Sequence, residues 1–220
     1  MKIGLVIAMD SEYRQFEQLL GGSHGRVGAG EVVLARCGIG KVNAAVGTMR
    51  LVAEASPDCI ISSGVAGGID QSLQVMDIVV ADQTAYHDVW CGDGNEKGQV
   101  QGLPPRFESD IRLCEAALSD APANVKKGLI CTGDQFITSK EKLHDIKLDF
   151  PDALAVDMES AAIAQVCHLL GVPFVSMRIV SDTPGATPDH YAQYMDFWKE
   201  LSNRSFSNIH SILERLPSIF

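Results

Sequence analysis

Three carboxylate side chains come directly after strand-like apolar runs, where they could do acid and base chemistry. Glu12 lies in the first turn of a predicted helix, Glu159 follows an apolar run at residues 153–156, and Asp182 follows one at 174–179. A carboxylic acid can protonate a leaving group, and a carboxylate can take a proton from water or stabilise developing positive charge. The three residues therefore suit the cleavage of a bond to a poor leaving group, provided that the fold brings them together.

The elements that must position these residues alternate along the chain. Apolar runs of strand length predict strands at residues 2–8, 31–37, 59–63, 77–83, 125–131, 153–156 and 174–179. Helical spacing of apolar residues predicts helices at residues 11–20, 42–55, 109–118, 158–170 and 189–216. The alternation predicts an α/β fold in a single domain, residues 1–220, with a mixed or mostly parallel twisted sheet flanked by helices. Ligands bind such sheets beyond the carboxyl ends of the strands, so we expect the three carboxylates to converge.

A run of small residues, GVAGG at residues 64–68, follows the predicted strand at 59–63 and is expected to form a loop. Because glycine and alanine carry little side chain, the backbone can approach a ligand closely there. Val65, Ala66 and Gly67 are therefore candidate substrate contacts.

The charge and the apolar patterning exclude several classes of partner. The formal net charge is -10 at pH 7, and the basic residues are scattered, which disfavours nucleic acid. The apolar stretches fall far short of a bilayer-spanning length, and the first one is too short for a signal peptide, so we expect no membrane partner.

The six cysteines contain no C-x-x-C pair, which indicates reduced thiols and a cytoplasmic protein. Histidines and cysteines do not recur at the spacing of metal ligands. We therefore expect neither a metal nor another cofactor.

Four segments together resemble the 5′-methylthioadenosine/S-adenosylhomocysteine nucleosidases of the nucleoside phosphorylase superfamily. They are AMDSE at 8–12, GVAGG at 64–68, AVDME at 155–159 and RIVSD at 178–182. The segments GIGKV at 38–42 and GDQFI at 133–137 extend the resemblance over nearly the whole chain. Each segment alone is a weak signal, whereas their order and spacing are specific.

The resemblance implies a nucleoside phosphorylase-like fold, a homodimer and a small-molecule nucleoside substrate that is hydrolysed to adenine, within methionine salvage. It implies that Glu12 is the base that activates water, that Glu159 holds the ribose hydroxyls, and that Asp182 protonates adenine N7. These roles fit the chemistry, because adenine leaves poorly as an anion and the sugar becomes oxocarbenium-like, as in glycoside hydrolysis.

The resemblance also implies the walls of the pocket. Phe136 stacks on adenine, the backbone of Ile137 reads the base edge, and Met158 lies against the sugar. Met9 and Ile39 line the pocket near the sugar and its 5′ substituent. Arg178, four residues before the acid, could orient a carboxylate through its planar guanidinium group.

Two related activities stay open at this point. A nucleoside phosphorylase would use phosphate as nucleophile and needs cationic and hydroxyl donors around it, but the positions that carry them in bacterial purine nucleoside phosphorylases hold Ser62 and Val65 here. Hydrolysis is therefore favoured. An aminofutalosine-type nucleosidase is the second alternative, and the sequence does not rank the possible 5′ substituents.

Two positions depart from the better-known pattern of the resembled family. There a Ser hydroxyl and a backbone N–H both bind the catalytic Asp, whereas this sequence has Val65 and Pro184. Proline has no N–H, and hydrogen bonds to a carboxylate favour its charged form. We expect the loss of these two hydrogen-bond donors to favour the protonated form of Asp182, unless another donor replaces them.

Two loop features have structural roles predicted from the sequence. His87 and Asp88 are adjacent on an extended segment and point to opposite faces, so we interpret them as a loop-positioning element. The Gly- and Pro-rich segment 90–105, with Trp90 as an aromatic anchor, is the candidate surface through which a partner subunit completes the 5′ side of the pocket.

Overall fold

The computed structural model of the chain describes residues 1–183, 197 and 203–215, which build one mixed sheet flanked by helices. The strands are β1 (Lys2–Ile7), β2 (His24–Val27), β3 (Gly30–Arg36), β4 (Cys59–Gly68), β5 (Ile78–Tyr86), β6 (Phe107–Glu108), β7 (Val125–Thr132), β8 (Ala153–Asp157) and β9 (Phe174–Asp182). The helices within the described residues are α1 (Asp10–Leu20), α2 (Lys41–Ala55), α3 (Ile111–Leu118), α4 (Lys140–Asp149), α5 (Ser160–Leu170) and α6 (Asn203–Arg215). The predicted α/β class and mixed sheet are confirmed.

Strand pairing closes part of this sheet on itself. The sheet runs β2-β3-β1-β4-β8-β7-β5-β6, and β9 pairs with both β4 and β5. The pairings β4 with β9, β9 with β5, β5 with β7, β7 with β8 and β8 with β4 therefore form a ring. A closed ring has no free edge among its members, so the strands that carry the site are fixed on both sides.

One buried apolar cluster takes side chains from every strand of the ring. Ala66, Ala81, Ala155, Ile130 and Val180 belong to one buried cluster drawn from all five ring strands. Alanines at these positions let the strands curve tightly around a narrow interior, because little volume is available within so few strands.

Two groups of helices cover the sheet. One buried cluster joins Phe16 of α1, Leu113 of α3 and Ile212 of α6 with strand residues, and another joins Ala44 of α2 and Ile163 of α5. No helix among the described residues is long and apolar enough to cross a membrane.

The predicted loop at 64–68 was wrong, because β4 continues through Gly68. Gly64 and Val65 pair with β9, and Gly67 and Gly68 pair with β8, with a register shift between Ala66 and Gly67. Small residues allow this irregularity: β4 keeps β9 as a partner through Gly67, while its other edge pairs first with β1, at residues 59–63, and then with β8, at Gly67 and Gly68. The backbone at these residues is therefore more rigid than a loop.

The predicted helix start at residue 158 was also wrong. Helix α5 begins at Ser160, and Glu159 is its N-cap with φ -135° and ψ -37°. Asp157 accepts the Ser160 N–H at 3.1 Å and so satisfies one free donor of the first turn. The backbone of Glu159 is therefore not helical, and its side chain lines the pocket.

Three elements were missed from the sequence: β2, β6 and α4. Helix α4 carries mostly charged residues and buries only Ile146, so its apolar periodicity is weak, but Ser139 caps it by accepting the Lys142 N–H. Strands β2 and β6 are short and depend on their pairing with β3 and β5. Of the predicted helix at 189–216, the structure describes residue 197 and α6; the rest lies outside the described residues.

Candidate active site

One pocket, formed where β1, β4, β8 and β9 end, brings together all the residues that the sequence predicted for the site. They are Met9, Glu12, Ile39, Val65, Ala66, Gly67, Phe136, Ile137, Met158, Glu159, Arg178 and Asp182. The convergence follows from the strand ends, as expected for a sheet of this class.

Glu12 is held by the backbone at the start of α1. Its Oε1 accepts the Val65 N–H at 2.9 Å, and its Oε2 accepts the Met9 N–H at 3.1 Å. Gly64 has φ +151°, and a Cβ there would lie 2.7 Å from Glu12 Oε1, so this close approach requires glycine. Burial raises the pKa of Glu12, while the Arg178 charge and the two backbone N–H groups oppose that rise.

Glu159 is held by the turn that precedes α2. The Gly40 N–H donates to Glu159 Oε1 at 2.8 Å, and the side chain is buried. Burial, followed by the negative charge of Asp157, raises the pKa of Glu159 to about 7, and Arg178 opposes the rise. The carboxylate therefore changes charge close to neutral pH.

Arg178 is almost fully buried beside these carboxylates. Its Nε donates to Asp157 Oδ2 at 2.8 Å, and its Nη2 donates to Ser62 Oγ at 2.8 Å. The expected orienting of a carboxylate by Arg178 is thus directed at Asp157. Within the described residues, the buried Arg178 Nη1 and Ser63 Oγ have no hydrogen-bond partner, and both residues line the pocket. They can bind a small polar ligand such as water.

Asp182 lies at the end of β9 and is buried in the pocket wall. The Ser181 hydroxyl donates to Asp182 Oδ1 at 2.7 Å. Another donor thus binds Asp182, an alternative that the sequence left open, although Ser181 was not identified as that donor. Pro184, the second departure, lies outside the described residues.

The remaining predicted residues form apolar walls. Phe136 is 48% exposed and Ile39 is 50% exposed, whereas Ile137 is buried. Met9 and Met158 are half-buried. An open aromatic ring beside apolar side chains provides a surface on which a planar base can stack.

Sequence reasoning missed four polar residues of the pocket: Ser63, Gln135, Asp157 and Ser181. Asp157 accepts hydrogen bonds from the Thr132 hydroxyl at 2.6 Å and from the Ser160 hydroxyl, besides the one from Arg178. Its position directly before Met158 at the end of a predicted strand was the available signal. The two serines resemble ordinary strand residues and gave none.

The described residues contain no group of three or more His, Cys, Asp or Glu side chains that could hold a metal ion. All six cysteines are free, and four of them are buried.

The family model of the Phosphorylase superfamily matches residues 2–216. A 5′-methylthioadenosine/S-adenosylhomocysteine nucleosidase of Haemophilus influenzae (strain PittGG) is 39% identical over an alignment of 231 positions, which covers 98% of this chain and 100% of that protein.

Solved structures show the same similarity. The nucleosidase of Neisseria meningitidis in complex with methylthio-immucillin-A aligns with a TM-score of 0.88 and 35% identity, over 100% of this chain and 99% of that one. The nucleosidase of Colwellia psychrerythraea 34H in complex with adenine aligns with a TM-score of 0.90 and 33% identity, over 98% and 96% of the two chains.

Proposed function

The chain belongs to the 5′-methylthioadenosine/S-adenosylhomocysteine nucleosidases of the phosphorylase superfamily, and we propose that Glu12, Glu159 and Asp182 carry its reaction. The enzyme hydrolyses the N-ribosidic bond of 5′-methylthioadenosine and S-adenosylhomocysteine, releasing adenine and the 5′-thioribose product. The assignment of roles rests on the contacts of each carboxylate.

Glu12 is the general base. Both of its oxygens accept backbone N–H groups, so its orientation is fixed, and burial raises its pKa. A carboxylate with a raised pKa is a stronger base for the proton of an attacking water. Arg178 Nη1 and Ser63 Oγ, which line the same pocket, are suited to hold that water.

Glu159 binds the ribose hydroxyls. Its Oε1 accepts the Gly40 N–H, and an ionised carboxylate has capacity for further donors, including both hydroxyls of a ribose. Its negative charge also stabilises the positive charge that the sugar develops as the bond breaks. Met158 lies directly before it and borders the same pocket.

Asp182 is the general acid. As the C1′–N9 bond breaks, the electron pair moves into the adenine ring, and a proton from Asp182 to N7 lets adenine leave as a neutral base. Water adds to C1′, and Glu12 takes the proton that this water loses. The Ser181 hydroxyl supports the orientation of Asp182. Phe136 and Ile137 border the place for the base.

The charge of the pocket is the observation that carries hydrolysis over phosphorolysis. Four carboxylates, those of Glu12, Asp157, Glu159 and Asp182, line the described pocket, and Arg178 is the one Lys or Arg among its described lining residues. That guanidinium already donates to Asp157. A phosphate dianion would meet repulsion and one shared cation, whereas neutral water meets neither obstacle.

An assay of adenine release in phosphate-free buffer tests this proposal. We expect equal rates with and without added phosphate, and free methylthioribose as the sugar product. A rate that depends on phosphate, together with a sugar 1-phosphate product, would contradict it. The same assay on aminofutalosine measures the alternative activity.

We also propose a homodimer in which the partner completes the 5′ side of the pocket. Helix α2 exposes an apolar stripe at Val42, Val46 and Met49, which are 74%, 45% and 46% exposed, and Ile39 at the pocket continues it. An unpaired apolar stripe that reaches a pocket is typical of a subunit interface. Trp90 is 53% exposed and remains the candidate anchor of segment 90–105. Analytical sedimentation measures the oligomeric state, and a fully active monomer would contradict the proposed dimer.

Two further proposals concern the setting of the enzyme. Six free cysteines support a reducing compartment, and we place the enzyme in the cytoplasm. The thioribose product keeps the sulfur of its substrate, which supports a role in methionine salvage. We propose further that residues 1–220 act as one nucleosidase domain, in keeping with the single sheet.

A further inference from the structure

Two turns border the pocket from different parts of the chain. The 38–41 turn leads into α2, of which Lys41 is the first residue; it carries Ile39 and donates the Gly40 N–H to Glu159. The 133–137 turn follows β7 and carries Phe136 and Ile137. The nucleoside assigned above would contact the first turn through Glu159 and its sugar, and the second turn through its base.

Asp134 joins the two turns directly. Helix α2 has Gly40 as N-cap and therefore no capping side chain of its own. Asp134 Oδ1 instead accepts the Lys41 N–H at 2.8 Å, from 93 residues away. Gly40 has φ +92°, and a Cβ there would lie 3.0 Å from Asp134 Oδ1, so glycine makes room for this carboxylate. The successive N–H groups of Gly40 and Lys41 are thus held by two acids from different parts of the chain.

Asp88 joins the same turns a second time. Both of its carboxylate oxygens accept hydrogen bonds from Lys41 Nζ at 2.8 Å, and its Oδ2 also accepts the Asp134 N–H at 2.9 Å. The Lys41 and Asp88 side chains are 24% and 13% exposed. A partly buried pair with three hydrogen bonds is more strongly held than an ordinary surface ion pair.

Packing beneath this network limits its freedom. The His87 ring lies so close to Gly133 that a Cβ there would be 2.3 Å from His87 Cε1. Lys41 Nζ lies 5.3 Å from the centre of the Tyr86 ring. Asp88 therefore extends from a segment that packs against the base of the 133–137 turn.

We propose that Lys41 and Asp88, with Asp134, are positioning residues that lock the 38–41 turn to the 133–137 turn and so fix the sugar contact relative to the base contact. This inference rests on the proposed roles of Glu159 and Phe136. None of the three residues lines the described pocket, so they act through the turns. A nucleoside contacts both turns, so its binding depends on their relative position. Free adenine contacts one turn, at residues 133–137, so its binding does not.

Hydrogen exchange measures the lock without any ligand. In Lys41→Met and in Asp88→Ala we expect the amides of Gly40, Lys41 and Asp134 to exchange at least about fivefold faster than in the wild type, because local opening costs less. Unchanged exchange at all three amides in both variants would overturn the proposal, whatever the enzyme hydrolyses.

Kinetics and binding measure the consequence. We expect kcat/KM for 5′-methylthioadenosine to fall about tenfold in each variant, since displacement of a positioning group by about 1 Å costs up to about 100-fold. The Kd for adenine should change less than about twofold, because one turn binds it. The kcat/KM of the double variant, Lys41→Met with Asp88→Ala, should be no lower than that of Asp88→Ala alone. Lys41→Arg should keep most of the wild-type kcat/KM because it retains the positive charge.

The chain offers a matched control pair. Asp88 and Asp134 follow the carboxyl ends of β5 and β7, and the control pair lies at the opposite ends of these two strands. Lys126 at the start of β7 and Asp77 before β5 form a pair at 3.2 Å, and their side chains are 31% and 11% exposed. We expect Lys126→Met and Asp77→Ala to keep wild-type kcat/KM and wild-type exchange at Gly40.

Equal losses of adenine and nucleoside binding in the Lys41 and Asp88 variants, or additive effects in the double variant, would refute the lock. Absence of hydrolysis by the wild type would contradict the proposed function instead.

Discussion

Replacing Glu159 by Gln should stabilise the folded protein above neutral pH while it impairs the reaction. The pKa of Glu159 is raised to about 7 from an ordinary value of 4.5, mainly by burial and then by Asp157. The folded protein therefore binds the Glu159 proton more tightly than the unfolded chain does. It follows that this residue costs no stability below pH 4.5 and costs progressively more as the pH rises to 7.

The size of the effect follows from the two pKa values. A difference of about 2.5 at 1.36 kcal/mol per pKa unit gives a full cost of about 3 kcal/mol. Linkage predicts a cost of about 1 kcal/mol at pH 5 and about 3 kcal/mol at pH 8. Gln resembles the protonated acid, and its oxygen can still accept the Gly40 N–H, so Glu159→Gln should gain these amounts in free energy of unfolding.

Urea unfolding at pH 5 and pH 8, followed by circular dichroism at one fixed protein concentration, measures the gain. Glu54→Gln on the exposed face of α2 is the control, with an expected change below about 0.5 kcal/mol at both pH values. A stability difference between Glu159→Gln and the wild type that does not change between pH 5 and pH 8 would refute the reasoning, as would a loss of stability at pH 8.

The remaining predictions concern catalysis. Glu12→Gln should lower kcat by roughly 10²–10⁴-fold while a nucleoside analogue still binds, because water activation alone is lost; near-normal turnover would show that Glu12 is not the base. Asp182→Asn should lower kcat by a similar factor of roughly 10²–10⁴ for adenine release, with a smaller loss for a nucleoside whose leaving group needs no proton, and an equal loss for both would argue against the acid role. Because Glu12 and Glu159 work as carboxylates and both pKa values are raised, kcat/KM should fall on acidification well above pH 4.5; a pH–rate profile that stays flat down to pH 5 would contradict this.

The sequence predicted those parts of the fold that depend on local pattern. Strand β1 and helix α2 were found within one or two residues, because their apolar periodicity is clear. Residues 64–68 were not, since glycine and alanine usually end a strand and only the partners on both sides keep β4 extended here. Helix α4 was missed because its residues are mostly charged and its stability comes from Ser139 and tertiary contacts.

The candidate site was likewise predictable from the sequence only in part. Glu12, Glu159 and Asp182 could be selected because they occur in short segments with recognisable order and spacing. The partners of these residues could not, since Gly40 and Glu159 are 119 positions apart and nothing local links them. The donation of Ser181 to Asp182 was equally hidden, because adjacent strand residues usually point to opposite faces.

The distribution of hydrogen-bond donors explains how one pocket keeps several carboxylates with different properties. The buried guanidinium of Arg178 donates to Asp157, which has no proposed role in bond breaking. Glu12 and Glu159 instead receive neutral backbone N–H groups, two and one respectively. The charge of Arg178 lowers the pKa of both residues and the neutral N–H groups lower it further, but burial outweighs these effects and keeps both pKa values raised. The fold thus supplies a well-oriented base without neutralising it, at a cost in stability that the Glu159→Gln measurement would make visible.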